Sequence, residues 1–252
     1  MRKKFGIYIA QLNPTVGDIS GNLKLIRDIR KRAIDKEADL IVTPELFVSG
    51  YPPEDLILRP SFLYNLKNEV LRFVEETKDN GPAVSLGVPW YQNGKTYNSC
   101  LIIENGNILK VINKIDLPNY GVFDEKRVFH PGKFEFPTNV KGLNCGFIIC
   151  EDMWTPKASM HYADNGAEII IVINGSPFDI NKLLEREYLA KSRVKETGLP
   201  LVYVNQVGGQ DELIFDGGSF VINLTSLGNK DSKKFIQLPR WQSFEEVSWW
   251  NL

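Results

Sequence analysis

The chain has 252 residues, with 30 Lys and Arg against 31 Asp and Glu, so its formal charge is −1. This balance lacks the basic excess typical of nucleic-acid-binding proteins, and a hydrophobic content of 43% excludes global intrinsic disorder. The longest apolar stretches, such as Ile169–Ile173, are strand-sized and far short of the ~20 residues that a membrane-spanning helix needs. Three cysteines form an odd and sparse set typical of a reducing compartment, so we expect a soluble, cytoplasmic protein without a membrane partner.

Short apolar runs alternate with longer stretches of helical spacing, and this alternation predicts an α/β fold. The runs that predict strands are Phe5–Ala10, Leu40–Thr43, Ala83–Val88, Cys100–Ile103, Ile108–Ile112, Cys145–Ile149, Ile169–Ile173, Leu201–Asn205 and Ser219–Asn223. Apolar residues at helical spacing predict helices around Leu23–Ala33 and Leu66–Val74, and a third helix is expected over Lys182–Glu196. Asn105-Gly106 lies between two predicted strands and predicts a tight hairpin, so the sheet should be mixed.

We interpret residues 1–252 as a single domain, because no repeat or Pro/Ser/Gly-rich linker divides the chain. The core should span about residues 5–228, with a long irregular stretch over Pro118–Lys141. The tail at 229–252 carries three of the five tryptophans, Trp241, Trp249 and Trp250, and we expect it to be docked. It could form an interface with another subunit or cover its own domain.

Reactive side chains follow three of the predicted strands. Chemistry in α/β sheets gathers at the carboxyl ends of strands, and Glu45, Lys114 and Cys150 lie at such ends. We therefore expect a carboxylate, an ammonium and a thiol at comparable positions on one sheet edge. Acyl transfer needs a nucleophile, a base and a donor for the oxyanion, and these residues can supply one each.

Cys150 lies where a strand turns into the following segment. Backbone N–H groups and any helix dipole there should lower the pKa of its thiol, and the N–H of Glu151 could contribute to an oxyanion hole. Taken one at a time, however, the three residues also fit ordinary roles: a buried core thiol, a turn carboxylate and an exposed cation.

Other common catalytic signatures are missing from the sequence. The two histidines, His130 and His161, are expected in a loop and on a helix face, so neither a Cys–His pair nor a zinc site is predicted. Neither GxGxxG nor GxxxxGK[ST] occurs, which removes the common nucleotide-binding signatures.

The sequence resembles the nitrilase superfamily of carbon-nitrogen hydrolases, which carry a Glu–Lys–Cys triad in this chain order. It is most similar to the glutaminase domains of glutamine-dependent NAD synthetases. The matching segments are residues 10–18 (AQLNPTVGD), 44–46 (PEL), 50–56 (GYPPEDL), 114–125 (KIDLPNYGVFDE), 150–154 (CEDMW), 174–178 (NGSPF) and 205–212 (NQVGGQDE). Together they cover roughly residues 5–228.

The resemblance implies a nitrilase-like α-β-β-α sandwich with mixed sheets. It implies hydrolysis of the L-glutamine side-chain amide to glutamate and ammonia. Glu45 would be the proton acceptor, Lys114 the charge stabiliser, and Cys150 the nucleophile that forms a glutamyl thioester.

The resemblance also implies roles for residues outside the triad. Tyr120, Ser176 and Lys182 match positions that hold the glutamine, and Glu125 matches an extra carboxylate near the triad. From the residues alone, Tyr120, Ser176 and Lys182 also fit ordinary roles: a loop tyrosine, a serine after a strand and a solvated first-turn lysine. A pocket for an amino acid needs polar partners for its carboxylate and its ammonium, which favours the substrate-binding interpretation.

Further expectations concern cofactors and partners. Amide hydrolysis by this route needs no cofactor, whereas a synthetase that converts deamido-NAD to NAD would use ATP and Mg. The resemblance implies such an ammonia-dependent synthetase, as a domain or a subunit, and a homo-oligomer. Two alternatives stay open: a stand-alone hydrolase of another small amide or nitrile, and a catalytically silent partner subunit.

Overall fold

The computed structural model describes residues 4–223, 236–237, 240 and 244–251. Each apolar run predicted as a strand coincides with or overlaps an observed strand, and the three predicted helices are present. The elements in chain order are β1 (Lys4–Gln11), α1 (Ile19–Asp35), β2 (Leu40–Val42), α2 (Pro60–Glu76), β3 (Ala83–Gln92), β4 (Lys95–Glu104), β5 (Asn107–Asn113), β6 (Thr138–Val140), β7 (Leu143–Ile149), α3 (Pro156–Asp164), β8 (Ile169–Ile173), α4 (Lys182–Thr197), β9 (Leu201–Val204), β10 (Val207–Gln210), β11 (Leu213–Asp216), β12 (Phe220–Ile222), β13 (Ile236–Gln237) and β14 (Phe244–Asn251).

Two six-stranded mixed sheets form the centre of the structure. The first has the order β14-β1-β2-β3-β4-β5, and the second has the order β13-β12-β9-β8-β7-β6. Within the first sheet β1, β2 and β3 are parallel, whereas β3, β4 and β5 are joined antiparallel. In the second sheet β7, β8 and β9 are parallel. The expectation of mixed pairing is confirmed.

The inner faces of the two sheets form one hydrophobic core. Ile7 and Ile9 of β1 belong to the same buried cluster as Ile171 and Ile173 of β8. Because side chains alternate along a strand, the residues between them point to the outer faces. The sheets therefore pack against each other as a sandwich.

Helices cover both outer faces of this sandwich. Ile41 of β2 packs in a buried cluster with Leu23 of α1 and Phe73 of α2. On the second sheet, Ile170 of β8 packs with Val194 of α4, and α3 joins the same cluster. Strands buried on both faces are apolar throughout, which is why they appeared as continuous runs. The structure confirms the α-β-β-α sandwich.

Local sequence patterns predicted some of the smaller elements and missed others. Asn105 and Gly106 have positive φ, as the predicted hairpin between β4 and β5 requires. Helix α3 was indicated only through His161, which was expected on a helix face and lies within this helix, and the small β10-β11 pair was not predicted. The stretch Pro118–Lys141 is largely irregular as expected, apart from one 3-10 turn and the short strand β6.

The C-terminal tail is docked on its own chain in part. Strand β14 pairs antiparallel with β1 along its whole length, from Lys4 opposite Asn251 to Gln11 opposite Phe244. Residues 224–235, which contain the predicted end of the core at 228, and Trp241 lie outside the described residues. No helix in the described part of the chain is long and apolar enough to cross a membrane.

Candidate active site

The three strand ends meet, but they come from two sheets. Glu45 follows β2 and Lys114 follows β5 in the first sheet, whereas Cys150 follows β7 in the second. The expectation of a single sheet edge is therefore wrong. The residues come together because the two sheets pack face to face with these strand ends on the same side of the sandwich.

The position of Glu45 depends on close packing against β3. A Cβ atom at Gly87 would lie 2.1 Å from the carbonyl oxygen of Pro44, so a side chain there cannot be accommodated without displacing the turn. The Glu45 N–H donates to the carbonyl of Asn174 at 3.2 Å, and the Gly175 N–H donates to Glu45 Oε2 at 2.8 Å. Glu45 thus joins the end of β2 to the end of β8.

Lys114 is enclosed by carboxylates. Its Nζ donates to Glu45 Oε1 and to Glu125 Oε1, each at 2.7 Å. Its residue exposure is 1%, which excludes the interpretation as an exposed cation. Burial opposes the charged ammonium, but the attraction of Glu45 and Glu125 outweighs it, and the pKa of Lys114 is raised well above its ordinary value. Lys114 therefore carries a positive charge inside the site.

Glu125 joins the cluster as the extra carboxylate that the resemblance implied. It is buried, and Tyr51 donates its hydroxyl to Glu125 Oε1 at 3.4 Å. Burial raises the pKa of Glu125 to about 7, with Lys114 opposing and Glu45 reinforcing the rise. The charge of Lys114 therefore works against burial to keep Glu125 ionised.

Cys150 occupies a strained turn. Its φ is +46°, in the left-handed region that side chains rarely adopt, and it begins a 3-10 turn over Cys150–Met153. Burial raises the pKa of the thiol well above its ordinary value, and Glu45 adds to the rise while Lys114 opposes it. The expectation of a lowered pKa is wrong for this structure, because desolvation and a neighbouring carboxylate outweigh the positive groups. A base close to the thiol becomes correspondingly important.

The mouth of the site carries charged and aromatic groups. The Tyr120 hydroxyl donates to both carboxylate oxygens of Glu151, at 2.9 and 3.0 Å. Lys182, the first residue of α4, places its Nζ 5.5 Å from the ring centre of Phe123 and 5.6 Å from that of Trp154. A cavity of about 570 Å³ lined by Tyr120, Glu151 and Trp154 adjoins them. Neither the triad residues nor Ser176 and Lys182 line this cavity, so it lies beside the triad.

Ser176 lies deeper and is held rigidly. Its Oγ accepts from Arg186 Nε at 3.2 Å, and its N–H donates to Asn205 Oδ1 at 3.0 Å. Arg186 is buried and forms an ion pair with Asp216 at 2.9 Å. The structure thus orients the Ser176 hydroxyl through a fixed guanidinium.

Sequence reasoning missed two residues that shape the site. Asn98 donates its amide to Glu45 Oε1 at 2.7 Å, and Arg186 holds Ser176. Each had a signal in the sequence. Asn98 is a polar residue within a buried strand, and Arg186 shares a helix face with the apolar Ala190 and Val194. Among the described residues, no group of three or more His, Cys, Asp and Glu side chains is arranged to hold a metal ion.

The arrangement defines a class of enzyme: a buried thiol, carboxylate and ammonium converge in a nitrilase-type sandwich suited to acyl transfer. Residues 7–225 match the carbon-nitrogen hydrolase family model. The chain belongs to the carbon-nitrogen hydrolase family.

Curated relatives and solved structures agree with this family. The chain is 41% identical over 225 residues to a glutamine-dependent NAD(+) synthetase of Thermotoga maritima, covering 88% of this chain and 38% of that protein. A relative of the same name from Rhodobacter capsulatus is 38% identical over 247 residues, covering 98% of this chain and 43% of that protein. The chain thus spans about two fifths of the length of these relatives.

Two solved structures show the same fold at different total lengths. A glutamine-dependent NAD+ synthetase from Acinetobacter baumannii superposes with a TM-score of 0.90 and 36% identity, covering 98% of this chain and 45% of that one. An amidase from Nesterenkonia sp. superposes with a TM-score of 0.82 and 25% identity, covering 98% of this chain and 90% of that one.

Proposed function

We propose that this domain hydrolyses the side-chain amide of L-glutamine to glutamate and ammonia. The observation that carries the proposal is the convergence of Glu45, Lys114 and Cys150 in one buried cluster. The identity of 41% to a glutamine-dependent NAD(+) synthetase supports glutamine as the substrate.

In the first half-reaction, Glu45 takes the proton of the Cys150 thiol, and the sulfur attacks the amide carbonyl carbon. The developing oxyanion is stabilised by the Lys114 ammonium and the N–H of Glu151. The proton held by Glu45 then passes to the leaving nitrogen, the C–N bond breaks, and ammonia leaves a glutamyl thioester on Cys150.

In the second half-reaction, a water molecule gives a proton to Glu45 and attacks the thioester carbonyl. The C–S bond breaks, glutamate leaves, and the proton returns to the Cys150 sulfur. The balance is one amide and one water converted to one carboxylic acid and one ammonia. Besides Lys114, the Asn98 amide and the Gly175 N–H donate to the Glu45 carboxylate and keep it oriented through both steps.

The mouth of the site supports an amino acid as the substrate. The Glu151 carboxylate suits the α-ammonium of glutamine, and the Lys182 ammonium suits its α-carboxylate. Tyr120 and Ser176 add hydroxyl groups that can hold the bound molecule. A neutral aliphatic amide carries no charged group that could pair with Glu151 or Lys182.

The ammonia would be delivered to a synthetase that converts deamido-NAD to NAD with ATP and Mg. The named relatives support this step, because they are glutamine-dependent NAD(+) synthetases about twice as long as this chain. The synthetase would be a domain or a separate subunit, and the working assembly would be a cytoplasmic homo-oligomer.

Labelling with a chloroketone analogue of glutamine tests the proposal. Intact mass and peptide mapping should place a single label on Cys150, and free glutamine should suppress it. The variant Cys150→Ala should take no label and release no ammonia, whereas Cys145→Ala, at a buried cysteine within β7, is the matched control. Ammonia release by Cys150→Ala would refute the assignment.

A second candidate is a stand-alone amidase of another small amide or nitrile. The specific observation is that this chain covers 90% of the Nesterenkonia sp. amidase structure. A panel of amides decides: labelling of Cys150 that glutamine does not suppress, with glutamine among the poorest substrates, favours this candidate. The intact buried triad argues against a catalytically silent subunit.

A further inference from the structure

Asp152 is a buried carboxylate that the proposed reaction does not use. It lies two residues after Cys150 and is 4% exposed. Its Oδ1 accepts the N–H of Ile115 at 3.0 Å and the N–H of Asp116 at 2.7 Å, and its Oδ2 makes a longer contact of 3.3 Å with the same Ile115 N–H. These are the two peptide groups that directly follow Lys114.

The contacts of Asp152 connect the two sheets at the site. The backbone of Lys114 is held by neighbours on its own side of the sandwich: its N–H donates to Asn98 at 2.8 Å, and its carbonyl accepts from Gly132 at 2.8 Å. Asp152 belongs instead to the turn that carries Cys150 at the end of β7. It therefore links the segment of the nucleophile to the segment of the ammonium.

We propose that Asp152 is a positioning residue, which sets the Lys114 ammonium at the right place relative to the Cys150 thiol. This inference rests on the roles assigned to these two residues under the proposed function. Both hydrogen bonds come from a single carboxylate, so a displacement of that carboxylate would shift the chain immediately after Lys114. A displacement of about 1 Å at a catalytic group can cost a factor of about 10² in rate.

A contribution to folding stability does not explain why a carboxylate occupies position 152. Burial raises the pKa of Asp152 to about 7, with the two backbone N–H groups and Lys114 opposing and Asp116 reinforcing the rise. The charged form is therefore disfavoured by desolvation. What the side chain supplies is an acceptor for two adjacent N–H groups.

Three variants separate the position of the acceptor from its charge. Asp152→Ala removes both bonds, and we expect kcat to fall about 10²-fold with KM changed less than about threefold. Asp152→Asn keeps an oxygen at the Oδ1 position, which makes the two shorter bonds, and loses only the longer Oδ2 contact with Ile115, so we expect kcat within about threefold of wild type. Asp152→Glu keeps the charge but moves the acceptor by one methylene group, and kcat should fall as in the alanine variant.

A matched control carries the same kind of bond away from the site. Asp39 precedes β2, at the end opposite Glu45, and its Oδ2 accepts the N–H of Gly6 at 2.8 Å. Asp39→Ala should lower the midpoint of thermal unfolding without changing kcat. Alkylation of Cys150 by iodoacetamide at pH 8 gives a second readout. Burial raises the thiol pKa and the Lys114 charge opposes that rise, so displacement of Lys114 should slow alkylation about tenfold in Asp152→Ala and not in Asp39→Ala.

The outcomes are distinguishable. Suppose that the wild-type protein hydrolyses glutamine through Cys150. If folded Asp152→Ala or Asp152→Glu then keeps the wild-type kcat and alkylation rate, the inference about Asp152 is overturned while the proposed function stands. A folded Asp152→Asn that fails like Asp152→Ala also overturns it, since the charge and not the acceptor position would then matter. If Cys150→Ala remains active, the proposed function fails and takes the inference with it. Should Asp152→Ala not fold, Asp152→Glu alone decides.

Discussion

Replacing Lys114 with methionine removes the positive charge from the centre of the cluster while keeping an unbranched side chain. The ammonium makes two ion pairs of 2.7 Å, and the side chains of Lys114, Glu45 and Glu125 are 0%, 0% and 7% exposed. Breaking a buried pair by removing one partner leaves charge uncompensated and costs about 3–5 kcal/mol. We therefore expect Lys114→Met to lower the free energy of unfolding at pH 8 by about that amount.

The matched control is a surface pair of similar length. Lys110 Nζ lies 2.9 Å from Glu135 Oε2, with side chains 29% and 37% exposed. Such pairs contribute about 0–1 kcal/mol, because solvent screens them. Lys110→Met should therefore cost little, and the difference between the two variants measures the effect of burial.

The loss of unfolding free energy in Lys114→Met should also depend on pH. Without Lys114 the two carboxylates repel each other, so the raised folded-state pKa of Glu125 rises further and folding then favours its protonated form. The deficit of Lys114→Met should therefore be larger at pH 8 than at pH 5.5, and Glu125→Gln in the same chain should recover part of it. Urea unfolding at both pH values measures this.

Ammonia release from glutamine gives the functional readout. Loss of one oxyanion donor costs about 10²–10³ in kcat, and Lys110→Met should leave kcat unchanged. A Lys114→Met protein that is as stable as Lys110→Met at pH 8, or that keeps a near-wild-type kcat, would refute the reasoning.

Three further predictions concern neighbouring groups. Glu45→Gln should lower kcat at least about 10²-fold without unfolding the protein, because the amide cannot take the thiol proton. Ammonia release measures the rate and thermal unfolding checks the fold. An unchanged rate would contradict the role of Glu45 as base. The pKa of Glu125 is raised from 4.5 to about 7, so its contribution to stability is fully present below about pH 4.5 and is lost as the pH rises through about 7. Glu125→Gln should therefore flatten this part of the stability profile, measured by urea unfolding at a series of pH values. A profile identical to that of wild type would contradict the raised pKa. Gly87→Ala should lower the free energy of unfolding by about 1–3 kcal/mol and also reduce kcat, because its Cβ would lie 2.1 Å from the Pro44 carbonyl oxygen and displace Glu45. A stable variant with full activity would show that the turn at Pro44 can move without displacing Glu45.

Much of the fold followed from patterns within the sequence. The central strands were recognised because both of their faces are buried, so their runs are apolar throughout, as in Ile169–Ile173. Helices α1 and α2 carry an apolar stripe at helical spacing. Helix α3 was indicated only by the expected helix-face position of His161, because nine residues are too few for an apolar stripe to stand out.

The candidate site followed from the same patterns in part. Strand ends directed attention to Glu45, Lys114 and Cys150, and a resemblance in the segments around them suggested Glu125 and the residues of the mouth. The contacts that orient these groups could not be predicted this way. Asn98 reaches Glu45 across 53 positions of chain, and Gly175 reaches it across 130.

The sequence by itself determined which residues are able to react and which segments form strands and helices, because those properties depend on side-chain chemistry and on local periodicity. Only the tertiary structure decided that Glu45 and Lys114 belong to one sheet and Cys150 to the other, and that the Cys150 thiol has a raised rather than a lowered pKa. The physical reason is that relative placement and desolvation depend on how the two sheets pack, and that packing joins residues far apart in the chain.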